Sequence, residues 1–500
     1  MQRPGRTINT KLPHIPPIWT VMRIKGKPIN TLAFISFISD LKHSNDCVYQ
    51  FKLYYYKTSK RFMIHKLSQK NSLTKKHTQN YRKHFALNRN AAGFNIKKKE
   101  LIYTLVSDKS DGAFIWDIDD NKYIDLTMGF GSILFGHNYL PIRKEIENQL
   151  TKSWSVGPIS PLAGILAEKI TLATNTERVA FFNSGTEAIM VSLRIAKAVT
   201  KKKYVVFFKG AYHGTFDPLL TLRRDQQTNI ARESIPGITQ SILNESYFFD
   251  YGSEESLDFI KINKNNIAAV LVEPVQSRNP SFQPIAFLKE IRSITEQNDI
   301  ALIFDEVITG FRIDIGGCQK QFNIQADIVT YGKVIGGGLP IGIVAGKSKF
   351  LDAIDGGFWQ YGDQSVPEAK STFVAGTFCH HPLAMATSLK TLEILDATNG
   401  ELLKEINIKT SNFCKKMNAF FAENFPKLSI VHFGSLFRFI TPGKYTELYN
   451  QLLLNGVYIW EGKNCFLSAA HTDEVIALLE DKIKLSCKQL VENGIIKTQV

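Results

Sequence analysis

"DIVTYGKVIGGGLPIG", residues 327–342, runs from an apolar stretch (Ile328, Val329 and, close behind, Tyr331) into a lysine and then into Gly336, Gly337 and Gly338. The stretch reads as a buried strand, which places Lys333 where that strand empties into a glycine-rich turn. A buried ammonium is costly unless it is paired, loses its proton or is converted into another group. The position therefore asks for chemistry, and the rest of the chain has to supply it.

Four further runs share the texture of this strand: "RVAFFN", "KYVVFF", "AAVLVEP" and "ALIFDE". Continuous apolar character, separated by helix-length segments between about 150 and 390, fits strands buried on both faces of a mainly parallel α/β sheet. From about 391 onward, amphipathic helices ("SLKTLEILDA", "DEVIALLEDKIKLSCKQLVEN") alternate with short strands ("SLFRFIT", "GVYIW"), predicting a smaller α+β domain. Upstream, "GAFIWDIDDNKYIDLT" reads as a hairpin turning at Asp119, Asp120 and Asn121. The segment from Ser72 reads as a helix with Thr74 as its N-cap and basic residues toward its far end. The expected division is a basic, poorly ordered extension over 1–70, an N-terminal part of the small domain and linker over 71–149, a large domain over 150–390 and a C-terminal small domain over 391–500.

Five hundred residues, 44% apolar, are ample for a large core. The dense apolar stretch "TLAFISFIS" at 31–39 is too short to span a bilayer, so no membrane association is expected. The formal charge of +15 is not spread evenly: residues 1–100 hold 21 Lys and Arg against three acids, and the other 400 hold 40 against 43. The basicity belongs to an appendage with no recognisable nucleic-acid reading module, so nucleic acid is not the expected partner. Cys47, Cys318, Cys379, Cys414, Cys465 and Cys487 show no CxxC pairing, which suits a reducing, cytoplasmic compartment. Organelle targeting through the Arg-bearing N-terminus is the alternative.

In an open α/β sheet the ligand site lies beyond the carboxyl ends of the strands, and each run here ends in a polar group. "RVAFFN" passes into a segment whose Ala188, Val191, Ile195 and Val199 form a helical apolar face, putting Ser184, Gly185 and Thr186 at a helix N-terminus. That is an anion site, most naturally for phosphate, although ordinary Ser/Thr capping reads the same way. "ALIFDE" delivers Asp305, "AAVLVEP" delivers Glu273, and "FFKGAYHGTFD" delivers Tyr212 and His213. An anion cradle, a carboxylate, an aromatic face and a lysine on one rim are the four needs of pyridoxal 5'-phosphate. Lys333 is then tolerated because it is covalently consumed by the cofactor's aldehyde.

"NSGTEAIMVSLRIAK", "GAYHG", "VEPV", "LIFDEVITGFR", "TYGKVIGGGLPIG" and "AGTFCHHPLAMA" resemble the motifs of class III aminotransferases of the glutamate-1-semialdehyde aminomutase type, enzymes of pyridoxal-phosphate fold type I. The resemblance spans about residues 72–490. It implies Lys333 as the Schiff-base lysine and proton carrier, Asp305 as partner of the ring nitrogen, and Ser184, Gly185 and Thr186 on the phosphate. It also implies Tyr212 on the ring with His213 beside it, a homodimer, and Thr377 reaching a phosphate across the dimer interface. Arg438, Arg89 and Glu273 are the candidates for substrate recognition.

A finer resemblance, carried by "LNRNAAGF", "FGSLFRF" and "GVYIWEGKNCFLSAAHT", is to aminotransferase domains of polyketide and nonribosomal peptide synthetases. It implies amination of a 3-ketoacyl chain borne by an acyl or peptidyl carrier protein, with an amino acid as donor. Where aminomutases have Gly-Asn-Pro, this chain has Cys379-His380-His381-Pro382. These adjacent residues cannot easily all face one ion, and no metal is expected. Glutamate-1-semialdehyde 2,1-aminomutase and small-molecule ω-aminotransferase are the enzyme alternatives. An inactive basic-armed binding protein is the non-enzyme one.

Overall fold

The computed structural model describes residues 60–497 apart from 222, 226, 233 and 234, together with a strand pair at 23–24 and 27–28. The expectations for order within 1–59 lie outside the described residues. Residues 63–70, inside the expected extension, are helical, with Met63 and Leu67 buried.

The five apolar runs form five strands, here β4 (Arg178–Phe182), β5 (Tyr204–Phe208), β7 (Ile267–Val272), β8 (Ala301–Asp305) and β9 (Ile328–Gly332). Two more join them, β6 (Ser246–Phe249) and β10 (Gly342–Gly346), in a seven-stranded sheet of order β6-β5-β7-β8-β9-β10-β4. From β6 through β9 every pairing is parallel; β10 is antiparallel to both of its neighbours. Every residue of β7, β8, β9 and β10 is buried, which is why their sequences do not alternate.

One face of the sheet packs on the helix Gly185–Thr200 (α4), whose Ala188, Val191 and Ile195 meet Val205, Leu271, Ile303 and Val344. The helix Ile285–Gln297 (α5) buries Leu288 and Ile291 beside β8. Truncating a fully buried residue such as Leu302 or Ile303 to Ala would cost about 2–5 kcal/mol.

Besides the short pair Arg223–Arg224 and Ala231–Arg232, two smaller sheets are present among the described residues. The expected hairpin is present as β2 (Phe114–Asp117) and β3 (Lys122–Asp125), turning through Asp120 at φ 61°. It pairs on one side with β1 (Ser107–Asp111) and on the other with β13 (Val457–Tyr458). The strands β11 (Ser429–Phe433), β12 (Leu436–Ile440) and β14 (Cys465–Phe466) form an antiparallel sheet, backed by helix Glu401–Asn424.

The helix expected from Ser72 is α1 (Ser72–Tyr81), but Thr74 is not its cap. Thr74 is buried within the first turn, and the free N–H groups of Leu73 and Thr74 donate to the Asp119 carboxylate instead. A carboxylate from the distant hairpin turn does the capping, so local sequence could not reveal it. The expected division at 390 falls inside the helix Pro382–Ala397.

Candidate active site

Because β4, β5, β7, β8 and β9 run the same way, their carboxyl ends open on one edge of the sheet. A cavity of about 400 Å3 lies there, lined by Ser184, Gly185, Thr186, Tyr212, His213, Glu273, Asp305 and Lys333. Five strand ends thus deliver the expected residues to a single space.

Lys333 follows the last residue of β9 and sits at φ 50°, a left-handed conformation that costs a non-glycine residue about 1–2 kcal/mol. Its amine has no hydrogen-bond or ion-pair partner among the described residues. Burial holds its pKa below the usual lysine value, with Arg312 pushing the same way and Asp305 and Glu273 opposing.

Asp305 is 6% exposed and ends β8. Its Oδ1 accepts from the Val307 N–H at 3.1 Å and from the Thr330 hydroxyl at 3.3 Å, and its Oδ2 lies 2.8 Å from His213 Nδ1. His213 Nε2 is buried without a partner among the described residues. The pair is therefore a carboxylate held in orientation by a backbone N–H, a hydroxyl and an imidazole. Glu273 sits on the same rim, where its carboxylate accepts from the N–H groups of Tyr212 (2.9 Å) and Ser277 (3.3 Å). Burial pushes its pKa up, and its bond to the Tyr212 N–H ties down the loop that carries Tyr212 and His213.

α4 begins as expected, with Ser184 at the N-cap. The Ser184 hydroxyl accepts from the Glu187 N–H at 3.2 Å, while the Glu187 carboxylate accepts from the Asn183 N–H at 2.7 Å, a reciprocal cap. Ordinary capping thus accounts for the Ser184 side chain. The N–H groups of Gly185 and Thr186 have no acceptor among the described residues and stand at the positive end of the helix dipole. The Thr186 hydroxyl accepts from Thr215 N at 3.2 Å, and Gly214, at φ 79°, passes so close to Thr186 that a Cβ would collide with that hydroxyl. These features form a cradle sized for an oxyanion.

Tyr212 is 46% exposed at the cavity, with the Arg278 guanidinium 5.4 Å from its ring centroid. Thr377 is exposed and does not line the cavity. Arg438 and Arg89 also lie outside it: Arg438 donates to Asn464 Oδ1 at 2.6 Å and Gly462 O at 2.8 Å, and Arg89 stacks on Trp460 at 4.2 Å. Cys379 is buried in the core under the large sheet.

Sequence reasoning missed Thr330, whose link to Asp305 follows from the β8–β9 register. It also missed Ser132, Val307 and Ile341 on the cavity wall, and Arg278. The residues present fit the cofactor expected from the sequence: an oxyanion cradle, a fixed buried carboxylate, an exposed aromatic face and an unpartnered buried amine.

A family model for class-III aminotransferases matches residues 95–472. The glutamate-1-semialdehyde 2,1-aminomutase of Sulfolobus acidocaldarius is 35% identical over 396 residues, covering 75% of this chain and 90% of that protein. The enzyme of the same name from Alkaliphilus oremlandii is 33% identical over 397 residues, covering 76% and 90%. Among solved structures, a glutamate-1-semialdehyde-aminomutase from Pseudomonas aeruginosa PAO1 superposes with a TM-score of 0.74 at 17% identity, over 88% of this chain and 99% of that one. A β-phenylalanine aminotransferase from Variovorax paradoxus gives 0.73 at 20% identity, over 87% and 98%.

Proposed function

The chain belongs to the class-III aminotransferases, pyridoxal 5'-phosphate enzymes of fold type I, and on that premise we propose that it moves an amino group from an amino acid to a carbon of a 3-ketoacyl chain borne by a carrier protein. The observation that carries the chemical half of this reading is the meeting of Lys333, Asp305 and the α4 N-terminus in one cavity. When bound, the cofactor draws electrons away from the carbon that gives up its proton.

The chain's own residues supply the rest. The N–H groups of Gly185 and Thr186, with the Ser184 cap beside them, would hold the phosphate. Asp305, kept in place by His213 and Thr330, would face the ring nitrogen, Tyr212 would lie against the ring, and Lys333 would hold the aldehyde. The free Lys333 amine would take the proton from the donor's Cα, and its lowered pKa favours the neutral form this requires. Arg438 and Arg89 attract the carboxylates of the substrates, and Glu273 steadies the ring loop.

The protein acts as a homodimer in which Thr377 reaches the phosphate bound by the other copy. The exposed Phe358, Tyr361, Phe373 and Phe378, on the stretch of chain leading to and past Thr377, support such a covered face.

The carrier-bound acceptor rests on the synthetase-like motifs and on Cys379-His380-His381-Pro382. A second reading, intramolecular isomerisation of glutamate semialdehyde, is favoured by the names of the curated relatives. Incubating the holoenzyme separately with glutamate semialdehyde and with a carrier-bound 3-ketoacyl thioester plus an amino donor decides between them. Aminated thioester supports the proposal; 5-aminolevulinate from the semialdehyde with no aminated thioester overturns it.

A further inference from the structure

A second cavity, about 750 Å3, opens between the segment 87–105 and the loop 458–463, and its walls carry Arg89, Lys98, Trp460, Glu461 and Lys463. Apolar side chains, among them Leu87, Leu101 and Ile459, line the rest. One contact links its wall toward the first cavity: Trp460 packs on Phe130 at 5.0 Å, and Phe130 is two residues from Ser132 of the first cavity's wall.

Cations collect along the junction. Arg278 stands 5.4 Å from the Tyr212 ring centroid at the first cavity's rim. Arg438 is tied by its two hydrogen bonds to Gly462 and Asn464, the residues on either side of Lys463. Arg89 lies 4.2 Å from the Trp460 ring centroid. Lys98 is paired with Glu461 at 3.6 Å and Glu447 at 3.5 Å. The side chains of Arg278 and Lys463, by contrast, have no hydrogen-bond or ion-pair partner among the described residues. Burial, and then the charges of Arg278, Arg438 and Arg89, all press the Lys463 pKa downward, so these groups feel one another. Glu461 answers Lys98 and Arg89, which leaves Arg278 and Lys463 as the cations that a bound anion would relieve.

We infer that the second cavity receives the part of the substrate remote from the reacting carbon, a segment apolar along its length and bearing an oxyanion, either a carboxylate or a phosphate ester. Arg278 and Lys463 grip that oxyanion, with Arg438 and Arg89 behind them; the guanidinium fork suits either oxyanion. The inference rests on the first cavity being the site of amino transfer. A carrier-borne arm would present a phosphate ester, and a free keto acid a carboxylate.

Calorimetric titration of the holoenzyme with octanoate, octyl phosphate and uncharged octanamide tests it. At least one anion is expected to bind tenfold or more tightly than octanamide. Arg278→Gln and Lys463→Gln should each weaken that anion tenfold or more at unchanged cofactor absorbance, and Arg278→Lys should keep part of the affinity. Tighter octanoate identifies a carboxylate, and tighter octyl phosphate a phosphate ester. Octanamide binding as well as both anions, or wild-type affinity in both glutamine variants, overturns the inference. The readout needs no turnover, so a protein that bound the anions but transferred no amino group would count against the proposed reaction alone.

Discussion

His213 Nδ1 lies 2.8 Å from Asp305 Oδ2, in a place where both side chains are buried and the other imidazole nitrogen meets no partner among the described residues. The carboxylate's other oxygen is held by Val307 N and the Thr330 hydroxyl, so the imidazole is what orients the second one. Replacing His213 with Phe should leave Asp305 buried with one oxygen under-bonded and free to turn away. The expected outcome is a kcat lower by about 10- to 100-fold with little change in KM. His213→Asn, which keeps a donor, should lie between the two. A parental kcat in His213→Phe would show that the imidazole does not act through Asp305.

Lys333→Ala removes the one unpartnered amine in the cavity. The variant should still fold and bind the cofactor through its phosphate cradle, but borohydride should no longer fix the cofactor to the chain. Turnover should fall by about 100- to 10,000-fold, the range for loss of a proton-transferring side chain. The checks are peptide mapping after reduction and rate measurement with and without added small amines, which should restore part of the rate.

The sequence made the rim legible because parallel strands have a simple signature: an apolar run, then a polar residue at its carboxyl end. Asp305, Glu273, Tyr212, His213 and Lys333 all follow that rule. The two strands of the large sheet not anticipated break it. In β10, "GIVAG", the glycines at both ends disguise a fully buried strand, and β6 offers only "SYFF". Contacts made through register or across the fold were also hidden. Thr330 reaches Asp305 only because β8 and β9 pair as they do, Asp119 caps α1 from a turn more than 40 residues away, and Arg278 meets Tyr212 through a loop. Periodicity describes one segment at a time and cannot show which segments meet.

Glu306, next to Asp305 in sequence, faces away into the core. Its carboxyl accepts from Cys318 N at 2.6 Å, Gln319 N at 3.0 Å and the Thr309 hydroxyl at 2.9 Å, capping the helix Gly317–Phe322. Burial outweighs these bonds and raises its pKa to about 7. A carboxyl whose pKa is higher folded than unfolded lends stability that is complete below about pH 4.5 and drains away as pH rises toward 7. The loss is on the order of 3 kcal/mol. Thermal midpoints should therefore fall between pH 5.5 and pH 8 in the parent and fall less in Glu306→Gln. Equal slopes for the two proteins would contradict this.

Arg312 is a buried cation that bonds to no carboxylate among the described residues: Nη1 donates to Ser435 Oγ at 2.8 Å, Nη2 to Gly131 O at 2.5 Å, and the guanidinium lies over the Phe466 ring at 4.8 Å. Burial drives its pKa down to about 9. The Gly131 carbonyl closes a turn in which Met128, Gly129, Phe130 and Gly131 all have positive φ, and this turn places Ser132 on the first cavity and Phe130 against Trp460. Four successive left-handed residues need an external tie, and Arg312 supplies it from the loop after β8.

Arg312→Met keeps most of the volume and removes the cost of burying a charge, so the thermal midpoint should move little. Catalysis should move more. The untied turn should loosen Ser132 and Phe130 and raise KM several-fold. Losing a positive charge that holds the Lys333 pKa down should also shift the rising limb of the kcat profile to higher pH, since the base must be neutral to act. Both changes with a near-parental melt identify Arg312 as a positioning residue acting through the turn and the field. A collapsed melt with an unshifted pH profile would reduce it to a structural strut.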